Sequence, residues 1–430
     1  MPSGTDIMHH SDLILRPDPA RTVLRPFDLV DPEGYGNQGR SRMQRIADRV
    51  LALDDEAFER EFSRVSNSLA ERHRDVKKVM ARRFAEVKVE ADCAAVEGDR
   101  ALLVGGYFLQ EYAFEAAALF NPSMVLHPDQ SNLKDGQVRF ALSLRGIGEG
   151  HLSSVTFRVG TWGPDEGFVV EDASPIASTP RIDKGSADDD GGVQVTCEDS
   201  TNVSESVLFP ITPSQSRGIE DMRLVLLRED DGTQRALGTY TAYNGSDARV
   251  ELMEAEDYNT FTLRKMTGSA AKAKGIAIFP RRINGRYAAL GRQDSENIWF
   301  LTSDSLTHWD GGEKVICPKY FWEYVQMGNC GSPIEIEEGW LVLTHGVGSV
   351  RNYCIGVALL DRDDPTKVLG RRPLPLVHPS PKERDGYVPN VVYSCGGMVH
   401  DRTLLLPYGV ADNFTAFAHV ALDDLLATLD

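Results

Sequence analysis

Two carboxylates and a guanidinium follow a glycine in Gly218-Ile219-Glu220-Asp221-Met222-Arg223, immediately ahead of the apolar run Leu224 to Leu227. A carboxyl group placed there is either held by the neighbouring Arg or partly desolvated, the two levers that set its pKa for acid work. A surface turn with an ion pair has the same composition, and composition by itself favours that reading. Gly146-Ile147-Gly148-Glu149-Gly150 has the glycine density of a nucleotide loop, but it precedes another strand-like run, Val155 to Val159, where dinucleotide binding requires a helix. It reads as a glycine-rich turn, with Glu149 and His151 beside it as candidate pocket residues. Cys93, Cys197, Cys317, Cys330, Cys354 and Cys395 form no C-x-x-C pair, so a zinc ribbon and a thioredoxin-type motif are both excluded. The acidic stretch from Ser186 to Gly192 lacks the spacing and terminal Glu of a calcium loop and reads as solvated. No metal site is expected.

Two kinds of element must position these groups. From about Ser41 to Val89, Phe58, Phe62, Val65 and Leu69 recur at helical spacing, as do Val76, Met80, Phe84 and Val87. Asp54 and Asp55 are placed to cap the first of these helices. Beyond about residue 95 the period changes to that of strands: Val138, Phe140, Leu142 and Leu144 alternate with Arg139, Ala141, Ser143 and Arg145. Similar segments lie at Leu224 to Leu227, Ile276 to Phe279, Ile298 to Thr302, Trp340 to Thr344, Ile355 to Leu359 and Leu404 to Leu406. Strands do not alternate with long helices, which disfavours Rossmann and β/α-barrel folds. A weak recurrence of strand, acidic turn and aromatic at Phe157 to Phe168 and Trp299 to Trp309 suits a propeller, although a sandwich pair gives much the same pattern. The expected division is residues 1–95, an extension with amphipathic helices, and 96–430, an all-β domain.

The formal net charge of −18 over 430 residues argues against nucleic acid and anionic membrane as partners. Neither a leader-like N-terminus nor an apolar run of about eighteen residues is present, so a cytoplasmic location is expected. His9 and His10 are read as part of a frayed end.

A series of segments in one order resembles glycoside hydrolase family 130, the β-mannoside phosphorylases and β-mannosidases. It comprises Phe120-Asn-Pro-Ser123, Phe140 to Arg145, Gly218 to Arg223, Tyr240 to Asn244, Phe279 to Tyr287, Gly328 to Pro333, Glu338 to Val347, Leu359 to Val368, Val388 to Val392 and Pro407 to Asp412. The resemblance runs from about Asn121 to the C-terminus. It implies a five-bladed β-propeller with the site at the mouth of the axial channel, preceded here by the α-helical extension. It further implies that Asp221 is the general acid, with its proton relayed through a sugar hydroxyl, and that Asp412 binds mannose hydroxyls. Met222 stands where the family has proline.

An inverting hydrolase needs a second carboxylate as base, whereas a phosphorylase uses phosphate as nucleophile and needs a cationic pocket. By the same resemblance, Arg145, Arg282, Arg292 and His345 occupy phosphate-binding motif positions; for an arginine that this chain lacks after His151, either Arg351 substitutes or the pocket is incomplete. Phosphorolysis of β-mannosides to mannose 1-phosphate is therefore expected, with inorganic phosphate as co-substrate and no cofactor. Glu149, Glu220, Glu323 and Asp294 are base candidates for the hydrolytic alternative, and a non-catalytic carbohydrate-binding propeller is a third reading. Asn121, Glu220, Asp294, Tyr243, Asn244 and Tyr387 join Asp412 as sugar-binding candidates, since a flat ring beside polar groups suits a pyranose. Trp309 and Trp322 are either platform or packing residues. The helices are assigned a role in homo-oligomer assembly.

Overall fold

The computed structural model describes residues 7–27, 29–31, 33, 39–182, 191–380 and 386–430. Most of the acidic stretch from Ser186 lies outside them. The chain packs as two units, one of residues 1–18, 115–174 and 178–430, the other of 19–114 and 175–177.

In the second unit, helices Arg42–Leu51, Asp55–Ala70, Val76–Val87 and Gly98–Tyr107 enclose a core that includes Met43, Phe58, Phe62, Met80, Phe84, Val104 and Phe108. Asp54 caps the second of these helices by accepting from the Ala57 amide at 2.8 Å, and Ser41 and Gln44 form a reciprocal capping box on the first. A hairpin of Thr22–Pro26 and Leu109–Ala113 completes the unit.

The first unit is mostly β. Among the described residues it contains five antiparallel meanders, each with its strands in chain order apart from the last. The first is Ala118–Leu126, Val138–Ile147, Ser153–Gly163 and Gly167–Val170; the second is Gly218–Arg228, Gln234–Tyr243, Ala248–Ala255 and Thr260–Lys265. The third is Ala277–Ile278, Tyr287–Gly291, Ile298–Ser303 and Glu313–Ile316, and the fourth is Gln326–Asn329, Gly339–Val347, Tyr353–Leu360 and Val368–Arg371. The fifth takes Val392–Tyr393, Thr403–Val410 and Phe414–Ala421 and gains its outer strand from His9–Leu15, which pairs antiparallel with Phe414–Ala421.

That pairing corrects the reading of His9 and His10 as a frayed end. His10 Nδ1 lies 2.9 Å from the Tyr408 hydroxyl, and the His9 ring stacks on His419 at 5.2 Å. A partner some four hundred residues away leaves no trace in local periodicity. Each meander also meets the next through backbone pairing. Ser153 bridges to Gly218, Arg228 N donates to Pro280 O, Met327 N to Glu296 O, Tyr353 N to Asn390 O, and Cys395 N returns from the fifth meander to Pro122 O of the first.

Candidate active site

The first strands of the first two meanders carry the same irregularity. Register slips between Phe120 and Ser123 on one and between Glu220 and Arg223 on the other. A bulge inserts a residue and re-aims its side chain, and its left-handed backbone is tolerated best by Gly, Asn and Asp. Asn121 (φ 48°) and Asp221 (φ 51°) occupy those positions. Asn121 Nδ2 donates to Asp221 Oδ1 at 2.8 Å, so the two bulges face one another. Met222, at the position of the motif's proline, is buried with its Sδ close against Gly238.

Arg145 joins both acids. Its Nη1 donates to Asp221 Oδ1 at 3.1 Å, its Nη2 to Glu220 Oε1 at 3.0 Å and its Nε to Ser153 Oγ at 2.8 Å. Arg145, an expected phosphate ligand, spends three of its five N–H donors on protein oxygens in this way and clamps the two carboxylates. The other oxygen of Glu220 accepts from Lys274 Nζ at 2.7 Å. Below the carboxylate, the buried Arg223 donates to Asp221 O at 2.9 Å and to the Tyr393 hydroxyl at 2.8 Å. Burial alone would raise the Asp221 carboxyl, but Arg145, then Arg223, the Asn121 hydrogen bond and Lys274 bring it down to about 2.

The third and fourth meanders add a second group. Arg292 Nη1 donates to His345 Nε2 at 3.1 Å, and a Cβ on Gly328 would stand 2.5 Å from His345 Cε1 and 2.7 Å from Arg292 Cδ. Only glycine lets these two side chains meet there. Burial, then the charges of Arg292 and Arg223, hold His345 well below its ordinary pKa, so it is neutral at pH 7. Arg351 lies in the exposed turn Ser349–Arg351, and Asp412 (φ 50°) in the tight connection after Thr403–Val410. Burial and the Asp221 charge raise Asp412 to about 6 against the opposing pull of Arg145 and Arg351.

Asn121 Oδ1, Asn329 Oδ1 and Arg223 Nε are buried and find no protein partner among the described residues. Polar atoms in that state are costly unless something else bonds them, and Asn121 and Arg223 both donate to Asp221. The structure thus brings together Asn121, Arg145, Glu220, Asp221, Arg292, His345, Arg351 and Asp412. A cavity of 390 Å³ lined by Met124, Leu224, Ser332, Gly396 and His400 lies further along the inner strands and holds none of these groups.

Other candidates lie outside this group. Arg282 lies in the turn before Tyr287–Gly291, at the opposite end of that strand from Arg292, over the Tyr287 ring at 3.8 Å and 3.5 Å from Glu229. It is not in the pocket. Asp294 caps its own turn, accepting from the Glu296 and Asn297 amides and the Asn297 side chain, and pairs with Lys314 at 3.3 Å. Asn244 likewise spends its side-chain oxygen on the amides of Ser246 and Asp247. Glu323 is buried against Arg371, and Trp309 and Trp322 are packing residues. Tyr243 ends its strand opposite Gly218 and donates to Gly245 O at 2.8 Å, which places it at the rim. Tyr387 is 73% exposed, against the His151 ring. Lys274, Arg223, Tyr393 and Asn329 were not among the predicted site residues. Arg223 carried a signal, standing two residues past Asp221; Lys274, in a loop before a two-residue strand, carried none.

A family described as beta-1,4-mannooligosaccharide phosphorylase, glycoside hydrolase family 130, matches residues 184–430. A 1,2-beta-oligomannan phosphorylase of Thermoanaerobacter sp. (strain X514) is 33% identical over 228 residues, 52% of this chain and 75% of that protein. A beta-1,2-mannobiose phosphorylase of Listeria innocua is 32% identical over 236 residues, 52% of this chain and 63% of its own length. The solved structure of a Listeria innocua beta-1,2-mannobiose phosphorylase with beta-1,2-mannobiose superposes with a TM-score of 0.53 at 21% identity, covering 74% of this chain and 93% of that one, which establishes likeness of fold. The chain belongs to glycoside hydrolase family 130.

Proposed function

We propose that the chain is an inverting β-mannoside phosphorylase built on a five-bladed propeller, a reading supported by the backbone bond from Cys395 of the fifth meander to Pro122 of the first. The observation that carries the mechanism is the Asp221 carboxylate held between Asn121 and Arg145 beside a separate cationic group. Asp221 supplies the proton to the departing oxygen, relayed through a sugar hydroxyl, as the C1–O bond of the mannoside breaks. Phosphate, gripped by Arg292, Arg351 and Lys274 with neutral His345 as hydrogen-bond partner, attacks C1 from the other face and leaves as mannose 1-phosphate. Asn121 and Asp412 hold mannose hydroxyls.

A hydrolytic reading needs a base. Both oxygens of Glu220 are engaged, and Glu323 and Asp294 are tied elsewhere. Asp412, raised to about 6, retains base character and would fill that role. Incubating β-1,2- and β-1,4-mannobiose with and without inorganic phosphate separates the two. Mannose 1-phosphate formed only with phosphate is the expected product; free mannose alone would assign hydrolysis. Asp221→Asn is expected to lower turnover about 10²- to 10⁴-fold with substrate affinity retained.

A further inference from the structure

The turns Gly148 to Leu152 and Gly348 to Asn352 share one geometry. Each closes with an amide-to-carbonyl bond, at 3.0 and 2.9 Å, each follows the strand carrying Arg145 or His345, and each ends on a non-glycine residue with left-handed backbone: His151 (φ 60°) and Arg351 (φ 52°). A left-handed conformation at such residues carries a strain cost, and strain of this kind concentrates at ligand sites. The two turns present different chemistry from equivalent places, a cation in one case and an aromatic ring in the other.

The His151 ring does not stand alone. Its centroid is 5.6 Å from that of Tyr387 at a tilt of 35°, and Tyr387 is 73% exposed. Tyr387 is anchored beside the site, since Val388 N donates to Ala411 O at 3.1 Å, the residue before Asp412. His151 is anchored on the other flank, two residues before Ser153, which accepts from Arg145. One ring therefore comes from the Arg145 and Asp221 side and the other from the Asp412 side, and they meet at the mouth. Exposed rings so placed have an apolar face that suits the C–H face of a pyranose, whereas phosphate is served by Arg292 and Arg351.

We propose that His151 and Tyr387 together seat the sugar on the leaving side of the scissile bond, and so set preference for the acceptor. This rests on the phosphorylase reading. The test runs the reaction toward synthesis, with mannose 1-phosphate as donor and mannose or mannobiose as acceptor, in wild type, His151→Ala, Tyr387→Ala and Tyr387→Phe. The acceptor KM is expected to rise about tenfold in each alanine variant, with the donor KM within about twofold and Tyr387→Phe close to wild type. An unchanged acceptor KM, or donor and acceptor KM rising together, would overturn it. Should the wild type make no product, the phosphorylase reading fails. Saturation-transfer NMR with mannobiose then decides the platform alone: binding lost in Tyr387→Ala upholds it, and binding retained, or absent from the wild type, removes it.

Discussion

Asp412→Asn removes a carboxylate that the fold holds at a disadvantage. Its pKa is raised from 3.8 to about 6 by burial and by Asp221, with Arg145 and Arg351 already counted against that rise. At about 1.36 kcal/mol for each pKa unit, keeping this group ionised in the folded state costs about 3 kcal/mol relative to the unfolded chain. The sign follows from the raised value. Protonation favours the folded state below the unfolded pKa, and that advantage disappears as pH rises from about 3.8 through about 6. A neutral isostere avoids the cost, so the variant is expected to be more stable than wild type at pH 8, by as much as about 3 kcal/mol, and nearly equal to it below pH 4. In a chain of this size each kcal/mol moves Tm by about 2 °C, which gives a gain of about 2–6 °C at pH 8. Activity moves the other way, because a charged hydrogen bond to a mannose hydroxyl is weakened: a drop in kcat/KM for the mannoside of about 10- to 150-fold is expected. Scanning fluorimetry across pH 4 to 8 checks the first part and initial rates the second. An equal shift in Tm at both ends of that range, or a fall at pH 8, would refute the account of Asp412 as a buried carboxylate strained by Asp221.

Arg282→Ala is expected to leave the phosphate KM within about twofold, since Arg282 is spent on Glu229 and the Tyr287 ring, while Arg292→Ala raises it about tenfold or more; initial rates over a phosphate series distinguish them. Deleting residues 1–15 strips the outer strand from the fifth meander and uncovers the cluster against which Leu13 and Leu15 pack. With about 1.5–3 kcal/mol for each large apolar side chain, a fall in unfolding midpoint is expected; an unchanged urea melt would show that the strand contributes nothing.

Much of the site was legible because its residues lie inside short, ordered motifs. Asn121, Asp221, His345 and Asp412 each lie in such a motif, and the structure brings them together. The bulges add the physical reason for two of them, since Asn and Asp suit a left-handed backbone better than most side chains. Arg282 and Asp294 also sat near motifs and proved to be engaged locally: the satisfied turn Asp294-Ser-Glu-Asn297 and the stack on Tyr287 depend on contacts that spacing does not encode. The relation between Arg145-Gly-Ile-Gly-Glu-Gly-His151 and His345-Gly-Val-Gly-Ser-Val-Arg351 is faint in the sequence, although the first two glycines of each keep their spacing. The chemically informative side chains differ between the two copies, and only the shared turn geometry relates them. In the first unit the strands were found by their alternation. That the fifth meander is completed by residues 9–15 was hidden by chain distance.

The low pKa of Asp221 constrains how it can serve as an acid. Held that far down, it is ionised at pH 7, far from the value near operating pH that acid catalysis favours. One cause of that low value, Lys274, also belongs to the proposed phosphate site. Arg145, Arg223 and Lys274 draw the Asp221 carboxyl down, and a dianion placed beside Arg292 offsets their field while a sugar in the mouth displaces water from it. Each change favours the neutral carboxyl. In the proposed mechanism Asp221 therefore becomes an acid only when mannoside and phosphate are both bound, which ties proton delivery to the presence of the nucleophile. Glu220 stabilises the same arrangement, because its two oxygens hold Arg145 and Lys274 in place whichever way Asp221 is protonated. A site arranged in this way would leave the mannoside intact in the absence of phosphate.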